Sequence, residues 1–484
     1  MGPSAAVVNE QDMNDQPPLV DFDGPDDPNF PHNWSILKKV WVTSVLALFN
    51  LIGTVTSSIF GPGQKEIMAE FGVSQEVAVL GTTLFLVGYI FGFLTFGPLS
   101  EKFGRKWPLL LGITLSSLFN LMPALGSSMA VVLVGRFFSG LCGVAPVAVL
   151  GGVISDCWAM AHRGIAMALA VSLVFSGPTF GPVFGGFIIG SSLNWRWTMW
   201  VVTIAGLALS ALSVVAFPET YPPALLRKKA RRLRKKYGNP DINTASEKER
   251  FTLKEISRVY LVRPFWLLST QPILTLLTLY QSFIYGVLFL FYQSYPIAFG
   301  EIRGWKAGLN TLPLLAIIVG NFTGTIGVVT YNQVYFRYHC HSPDGSYIPE
   351  SRLPPMILGG LMIPIGIFWY AWTAGPDVPW PSATCASFLT GCGMYLLFIQ
   401  GFNYIVDCYT SMANSAMGVN GSMRSIFGAI FPLFASQMFH SLGVAPATSI
   451  LGGVSVALIP VPVCFWYWGE RIRAWSSAKV SSSV

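Results

Sequence analysis

Gly97-Pro98-Leu99-Ser100-Glu101-Lys102-Phe103-Gly104-Arg105-Lys106 is a charged, glycine-bracketed stretch between two long apolar runs, near 78–98 and 107–126. A helix needs roughly 20 apolar residues to cross the ~30 Å hydrocarbon core of a bilayer, and each run supplies them. So short a link between two such runs reads as a tight turn joining two membrane helices, with its charges at the aqueous boundary. Working outward, similar runs lie near 40–62, 129–155, 165–189 and 197–218 on one side of a polar gap. Six more follow it, near 265–295, 308–330, 354–374, 382–407, 410–438 and 445–469. In lipid every backbone polar group must be satisfied internally, so these runs are helices; none alternates like a barrel strand. The predicted fold class is therefore an all-α polytopic membrane protein with twelve transmembrane helices in two six-helix bundles. The bundles occupy 40–218 and 263–469, with a disordered N-terminal tail at 1–39, a basic central loop at 219–262 and a C-terminal tail at 470–484.

Composition agrees. Of the 484 residues, 52% are hydrophobic and only 11% charged, against roughly 25% charged in an ordinary soluble domain. The net charge of +7 does not spread over a surface that could face nucleic acid. The Lys and Arg residues sit between the apolar runs, and 24 of the 30 fall on one predicted side of the membrane. Lys65, Arg196, Arg303 and Lys306 fall on the other, and Arg136 and Arg424 lie within spans. The positive-inside rule then puts both termini in the cytosol. The run from Arg227 to Lys236 reads as a solvated positive-inside anchor, the alternative being a segment lying on an anionic inner leaflet. Residues 1–37 lack the basic-then-apolar order of a signal peptide. The seven cysteines include no CxxC pair, and the five histidines (His32, His162, His339, His341, His440) are scattered. Neither a disulfide framework nor a metal centre is expected, and no cofactor.

The 97–106 stretch resembles the signature loop of the major facilitator superfamily: a glycine, an acidic-basic pair, then a glycine before two basic residues. Glu101 stands where the superfamily usually has Asp. The resemblance implies a conformational latch made of Gly97, Glu101, Lys102, Gly104, Arg105 and Lys106, with Arg163 across the next cytosolic loop. The fourth run carries Gly135-Arg136-Phe137-Phe138-Ser139-Gly140 and ends at Asp156. An arginine at membrane depth needs a partner or a water-filled cavity, and the superfamily's fourth-span motif has an arginine here that is implicated in proton coupling. The fifth run contains Gly177-Pro178-Thr179-Phe180-Gly181-Pro182-Val183-Phe184-Gly185-Gly186. It resembles the antiporter motif of the same superfamily, with prolines that bend the helix and glycines that permit close helix approach; this favours export over uptake.

Three further stretches resemble the fungal twelve-span drug–proton antiporters: Asp27-Pro28-Asn29-Phe30-Pro31-His32-Asn33-Trp34-Ser35, Pro349-Glu350-Ser351-Arg352-Leu353, and Arg424-Ser425 with Phe431-Pro432-Leu433-Phe434. The resemblance runs from about residue 27 to 470. It implies the major facilitator fold, a central cavity open alternately to each side, and export of a small hydrophobic or amphipathic organic compound in exchange for protons. The plasma membrane is the expected location, the vacuolar membrane an alternative, and the protein is expected to be a monomer.

No GxxxxGK[ST] phosphate loop is present, whereas the membrane potential supplies about 2.3 kcal/mol per proton per 100 mV. Spans one, two, five, seven and eight lack an interior carboxylate. The resemblance implies proton coupling all the same, and the residues it offers for coupling or gating are Arg136, Asp156, Asp407 and Arg424, with Asp407 near an interface and suited to a gate, and Asp156 a partner for Arg105 or Arg163. Aromatic and amide residues are the expected cavity lining: Tyr280, Gln281, Tyr285, Tyr292, Gln293, Asn403, Tyr404 and Asn420. With few buried acids, a polyvalent cation suits such a cavity less well than a neutral or weakly acidic solute. An uptake symporter of the same superfamily and a multispan membrane enzyme are the alternatives.

Overall fold

The computed structural model describes residues 20–238, 240, 242–248, 263–336, 338, 340 and 348–481. Twelve helical segments in it are long and apolar enough to cross a membrane. Spans 1 to 6 are Ile36–Phe71, Gln75–Phe103, Lys106–Leu125, Met129–Cys157, His162–Ile189 and Arg196–Ala216. Spans 7 to 12 are Pro272–Ile302, Leu309–Phe336, Pro349–Thr373, Trp380–Cys408, Ala413–Leu442 and Val444–Trp475. Every apolar run read from the sequence falls on one of them. An even count returns the chain to the face it started from, here called the basic face.

The two halves repeat one packing plan. Span 1 packs on span 5, span 2 on span 4, and span 3 on spans 4 and 6; span 7 packs on span 11, span 8 on span 10, and span 9 on spans 10 and 12. The seam between halves is equally symmetric, with span 2 along span 11 and span 5 along span 8. Exposed Leu, Ile, Val, Phe, Trp and Tyr side chains are distributed over nearly all the spans, as on Val215, Ile326, Trp372 and Tyr467, which suits an outer surface solvated by lipid.

Local chemistry explains the closest packings. Pro182 has no N–H, so the Pro178 carbonyl loses its helical donor; the Ser58 hydroxyl of span 1 donates to that carbonyl at 2.7 Å. On the same face a Cβ added to Gly177 would strike Thr54, one on Gly181 would strike Ser58, and one on Gly185 would lie 2.7 Å from the Ile59 carbonyl. Spans 1 and 5 therefore meet backbone to backbone. Gly104 ends span 2 with φ at 94°, a conformation that other residues rarely adopt.

Three boundary expectations change. Residues 20–35 do not belong to a disordered tail: His32 Nε2 contacts the Ser155 carbonyl at 3.1 Å, Lys39 Nζ donates to the His32 carbonyl at 2.7 Å, and Pro31–Asn33 form a helical turn. Residues 1–19 lie outside the described residues. The basic loop contains a helix, Pro222–Tyr237, that buries Ala230 and is clasped to the N-terminal segment through Lys229 and Asp23 at 2.6 Å. Residues 249–262 of that loop lie outside the described residues. The last helix does not stop at 469 but continues to Ser481, because Arg473 finds Glu350 at 2.8 Å.

Candidate transport pathway and its gates

A small cavity of about 20 Å³ lies on the seam between the halves, lined by Thr54, Tyr89, Phe93, Val147, Val174, Phe175, Tyr285, Gly421, Arg424 and Ser425. That volume holds about one water molecule. The first half contributes spans 1, 2, 4 and 5, the second half spans 7 and 11. Arg424 is the only charged residue of the lining. Phe175 of span 5 and Phe398 of span 10 stack across the seam with centroids 4.5 Å apart.

The seam is closed above and below this cavity. At the basic face Asn414, the second residue of its helix, donates to the Glu101 carboxylate, which sits where the positive end of a helix dipole favours an anion. The Tyr395 hydroxyl of span 10 donates to the Ala168 carbonyl of span 5 at 2.5 Å. Ser422 reaches the Ile90 carbonyl at 3.3 Å and Thr83 the Ala429 carbonyl at 2.9 Å. At the opposite face Lys65 pairs with Glu301 at 3.0 Å. A Cβ on Gly186 would lie 2.8 Å from the Thr311 hydroxyl, and one on Gly190 would lie 2.7 Å from the Ala307 carbonyl. Gly186 thus faces the second half, whereas Gly177, Gly181 and Gly185 face span 1. Contacts between the halves thus close both ends of the seam around this small cavity.

The latch residues divide into two groups. Arg105 is buried and pairs with Asp156 at 3.0 Å, with its guanidinium also on Ser100 at 2.9 Å and 4.7 Å from the Tyr221 ring. These partners all belong to the first half, so this pair ties spans 2, 3, 4 and 6 together and does not bridge the seam. Of the two partners read for Asp156, the structure selects Arg105. Lys106 donates to the Val214 carbonyl at 2.7 Å, Lys102 lies over the Phe103 ring, and Gly97 has open space where a Cβ would be. Among the described residues, Glu101 is the latch residue that bonds across the seam. Arg163 makes no ion pair among the described residues, although Gly164 beside it approaches Asn332 of the second half.

The second half repeats the arrangement. Arg352, at the start of span 9, pairs with Asp407, at the end of span 10, at 3.0 Å, as Arg105 at the start of span 3 pairs with Asp156 at the end of span 4. The partners are 55 residues apart in one half and 51 in the other. Asp407 is therefore a charge at the basic end of its bundle, outside the cavity.

Arg136 is completely buried and pairs with no carboxylate among the described residues. Its guanidinium donates to the Gly81 carbonyl at 2.8 Å, Thr56 at 2.9 Å and Ser57 at 3.1 Å, between the Phe60 and Phe85 rings. Thr56 and Ser57 end the helix Ile36–Ser58, where carbonyls lack intrahelical donors and a cation is favoured.

Of the residues expected to line the cavity, Tyr285 does so in this conformation. Gln281 and Asn420 bond to each other at 2.8 Å inside the second bundle, and Asn403 bonds Gln400 at 3.3 Å. Tyr404 reaches Glu350 at 3.4 Å near the basic face, and Tyr280 is fully buried beside Gly360. Tyr292 meets Thr179 across the seam at 3.1 Å, and Gln293 donates to the Pro432 carbonyl within the second bundle at 3.2 Å, both nearer the opposite face. The polar side chains of spans 7, 10 and 11 mostly satisfy helix–helix contacts. His339 and His341 lie outside the described residues.

The model of the Major Facilitator Superfamily matches residues 46–432. The chain belongs to this superfamily. Among curated relatives, this facilitator is 45% identical to the MFS-type transporter oryN of Aspergillus oryzae, over 95% of its own length and 90% of the relative's. It is 41% identical to the citrinin biosynthesis cluster MFS transporter mrr1 of Monascus ruber, covering 95% and 92% of the two chains. It is 40% identical to the ascochitine biosynthesis cluster MFS transporter of Didymella fabae, covering 95% and 89%. Among solved structures it resembles the proton:xylose symporter XylE bound to 6-bromo-6-deoxy-D-glucose, with a TM-score of 0.65 at 15% identity, covering 90% of this chain and 96% of that one. The likeness to XylE is one of fold. This facilitator is a multi-pass membrane transporter of small molecules, and the multispan-enzyme alternative falls.

Four residues of the gates were not singled out as site residues in the sequence. Glu219 accepts the backbone N–H groups of Arg105 at 2.8 Å, Lys106 at 3.2 Å, Thr220 at 3.0 Å and Tyr221 at 2.9 Å. It fills the space beside Gly104 where a Cβ would clash with its carboxylate. In the second half Arg352 pairs with Asp407, and Arg473 pairs with Glu350. The available signal was the half-repeat: a basic residue opening spans 3 and 9 and an acid closing spans 4 and 10.

Proposed function

We propose that this facilitator exports a small amphipathic organic compound, a drug, toxin or secondary metabolite, by alternating access in exchange for protons. The carrying observation is the aromatic cavity on the seam, shut at both ends by contacts between the halves. A solute can enter or leave this centre only when one set of contacts parts, which is the geometry alternating access requires. The biosynthesis-cluster names of the Monascus and Didymella relatives support a metabolite as cargo. The glycine and proline pattern of span 5 supports export.

Asp156 and Asp407 are our candidates for proton coupling. Each holds one arginine at the basic end of its half, and a proton on either would release that arginine and loosen the gate. Arg136 fixes the helices around the pathway, and Glu101 with Arg105, Gly104 and their neighbours sets the closure of the basic face. The excess of Lys and Arg there supports cytosolic termini, and a plasma-membrane location suits an exporter. The test is flux in proteoliposomes with an imposed pH gradient, screening amphipathic compounds. Accumulation that follows the gradient and collapses with a protonophore supports the reading. Flux indifferent to the gradient defeats proton exchange, and flux only toward the basic face marks an uptake carrier.

A further inference from the structure

We propose that Arg424 is an anion-binding residue at the centre of the pathway, and that the cargo is an aromatic organic anion such as a carboxylate or acidic phenol. The proposal rests on the transporter reading and specifies its substrate class.

Arg424 is 8% exposed and forms no hydrogen bond or ion pair among the described residues; its Nε is buried without a partner. An unpaired arginine in a membrane interior is costly, and Arg136 shows how this chain satisfies one when the purpose is structural, with three backbone carbonyls. Arg424 instead lies among four aromatic faces: Phe402 at 4.7 Å, Tyr285 at 5.6 Å, Phe398 at 5.8 Å and Phe175 at 6.0 Å from the guanidinium carbon. Cation–π contacts offset part of the desolvation but leave every N–H free to donate. The Tyr285 hydroxyl, also on the lining, has no hydrogen-bond partner among the described residues. The cavity thus presents a planar fork of donors and no carboxylate.

A carboxylate matches the fork in a bidentate geometry, whereas a cation would meet uncompensated positive charge. The rings specify the rest of the ligand. Phe175 belongs to the first half, Phe398 and Phe402 to the second, and the stacked Phe175–Phe398 pair closes the seam beside Arg424. A planar aromatic cargo entering between those rings would exchange one stacking contact for two as the halves part, with its acidic group on the guanidinium.

The test uses purified full-length protein with 2-naphthoate and its methyl ester, which share the ring and differ in charge. Binding is read by tryptophan fluorescence and by thermal stabilisation. We expect saturable binding of the acid, at least tenfold tighter than of the ester. Arg424→Gln should lose this preference, Arg424→Lys should keep part of it, and Phe175→Ala should weaken both ligands. Equal affinity for acid and ester, no saturable acid binding at millimolar concentration, or an Arg424→Gln protein of normal melting temperature that keeps the acid preference would each overturn the proposal. Acid binding without flux would defeat the exporter reading and leave the anion site standing; export of neutral compounds untouched by Arg424→Gln would do the reverse.

Discussion

Arg136→Ala separates two meanings of a membrane arginine. If Arg136 is the structural staple its contacts describe, its removal strands the carbonyls of Gly81, Thr56 and Ser57, on spans 2 and 1, in a completely buried site. Interhelical hydrogen bonds in membranes are worth about 0.6 kcal/mol on average and up to about 1.7. Three of them therefore amount to about 2 to 5 kcal/mol, a large share of a typical folding free energy. In a mild detergent this should lower the melting temperature by about 5 °C or more, read as loss of the monodisperse peak after heating. Transport per folded molecule should fall less than tenfold. Arg136→Lys, which keeps the charge but cannot fork to three acceptors, should fall between the two. A variant that melts like wild type yet transports nothing would refute the staple and return Arg136 to the proton-coupling role that the family resemblance implies.

Gly181→Leu should abolish transport and lower stability, because a side chain there strikes Ser58; normal flux would mean that span 5 does not need its contact with span 1. Gly186→Leu should fold but hold the opposite face open, seen as faster labelling of a cysteine introduced at Ala307 in a cysteine-free background. Glu101→Gln removes a charge from the start of span 11, an effect of about 0.3 to 1 kcal/mol. It should shift cysteine labelling at the basic face by about two- to fivefold, and unchanged labelling would count against Glu101 as a gate. Arg352→Ala and Arg105→Ala should have similar effects on stability, since each removes the arginine that pairs with a carboxylate at equivalent places of the two halves; a large difference would show that the repeat is geometric only.

The spans were legible because lipid demands one solution, an internally bonded apolar helix, and each left an uninterrupted run of hydrophobic residues. Span 1 was read short because Gly61-Pro62-Gly63 breaks the pattern, although the chain stays helical through Gln64–Phe71. The individual site residues were less legible for a physical reason. A buried tyrosine or amide in a span looks the same in sequence whether it bonds a neighbouring helix or a ligand. Gln281, Asn420 and Tyr404 found partners within their own bundle, while Arg424 did not. That distinction is set by which helix lies opposite, and opposition depends on the seam between spans 2 and 11 and between 5 and 8. Glu219 was hidden because its role is to accept backbone N–H groups, which carry no side-chain signature.

Charge movement ties the anion site to the coupling ion. Arg424 lies on the central cavity, whereas Asp156 and Asp407 lie at the basic ends of spans 4 and 10 with their own arginines. If Arg424 holds the anion and these carboxylates the proton, as proposed, the two have separate places and neither needs to neutralise the other during the crossing. A monoanion leaving a cell with a negative interior gains about 2.3 kcal/mol per 100 mV, and a proton entering in exchange gains the same again. Export of an anion by proton antiport should therefore move two charges per molecule of cargo. Simultaneous current and isotope flux on a supported proteoliposome membrane measures this ratio directly. We expect about two, falling to one for a neutral cargo analogue exchanged for the same proton. A ratio of one for the acid, indifferent to the pH gradient, would leave Arg424 as the anion site of a potential-driven exporter and remove the carboxylates from coupling. Electroneutral movement of the acid would mean that it crosses with its proton, and the separation of the two sites would then have no bearing on transport.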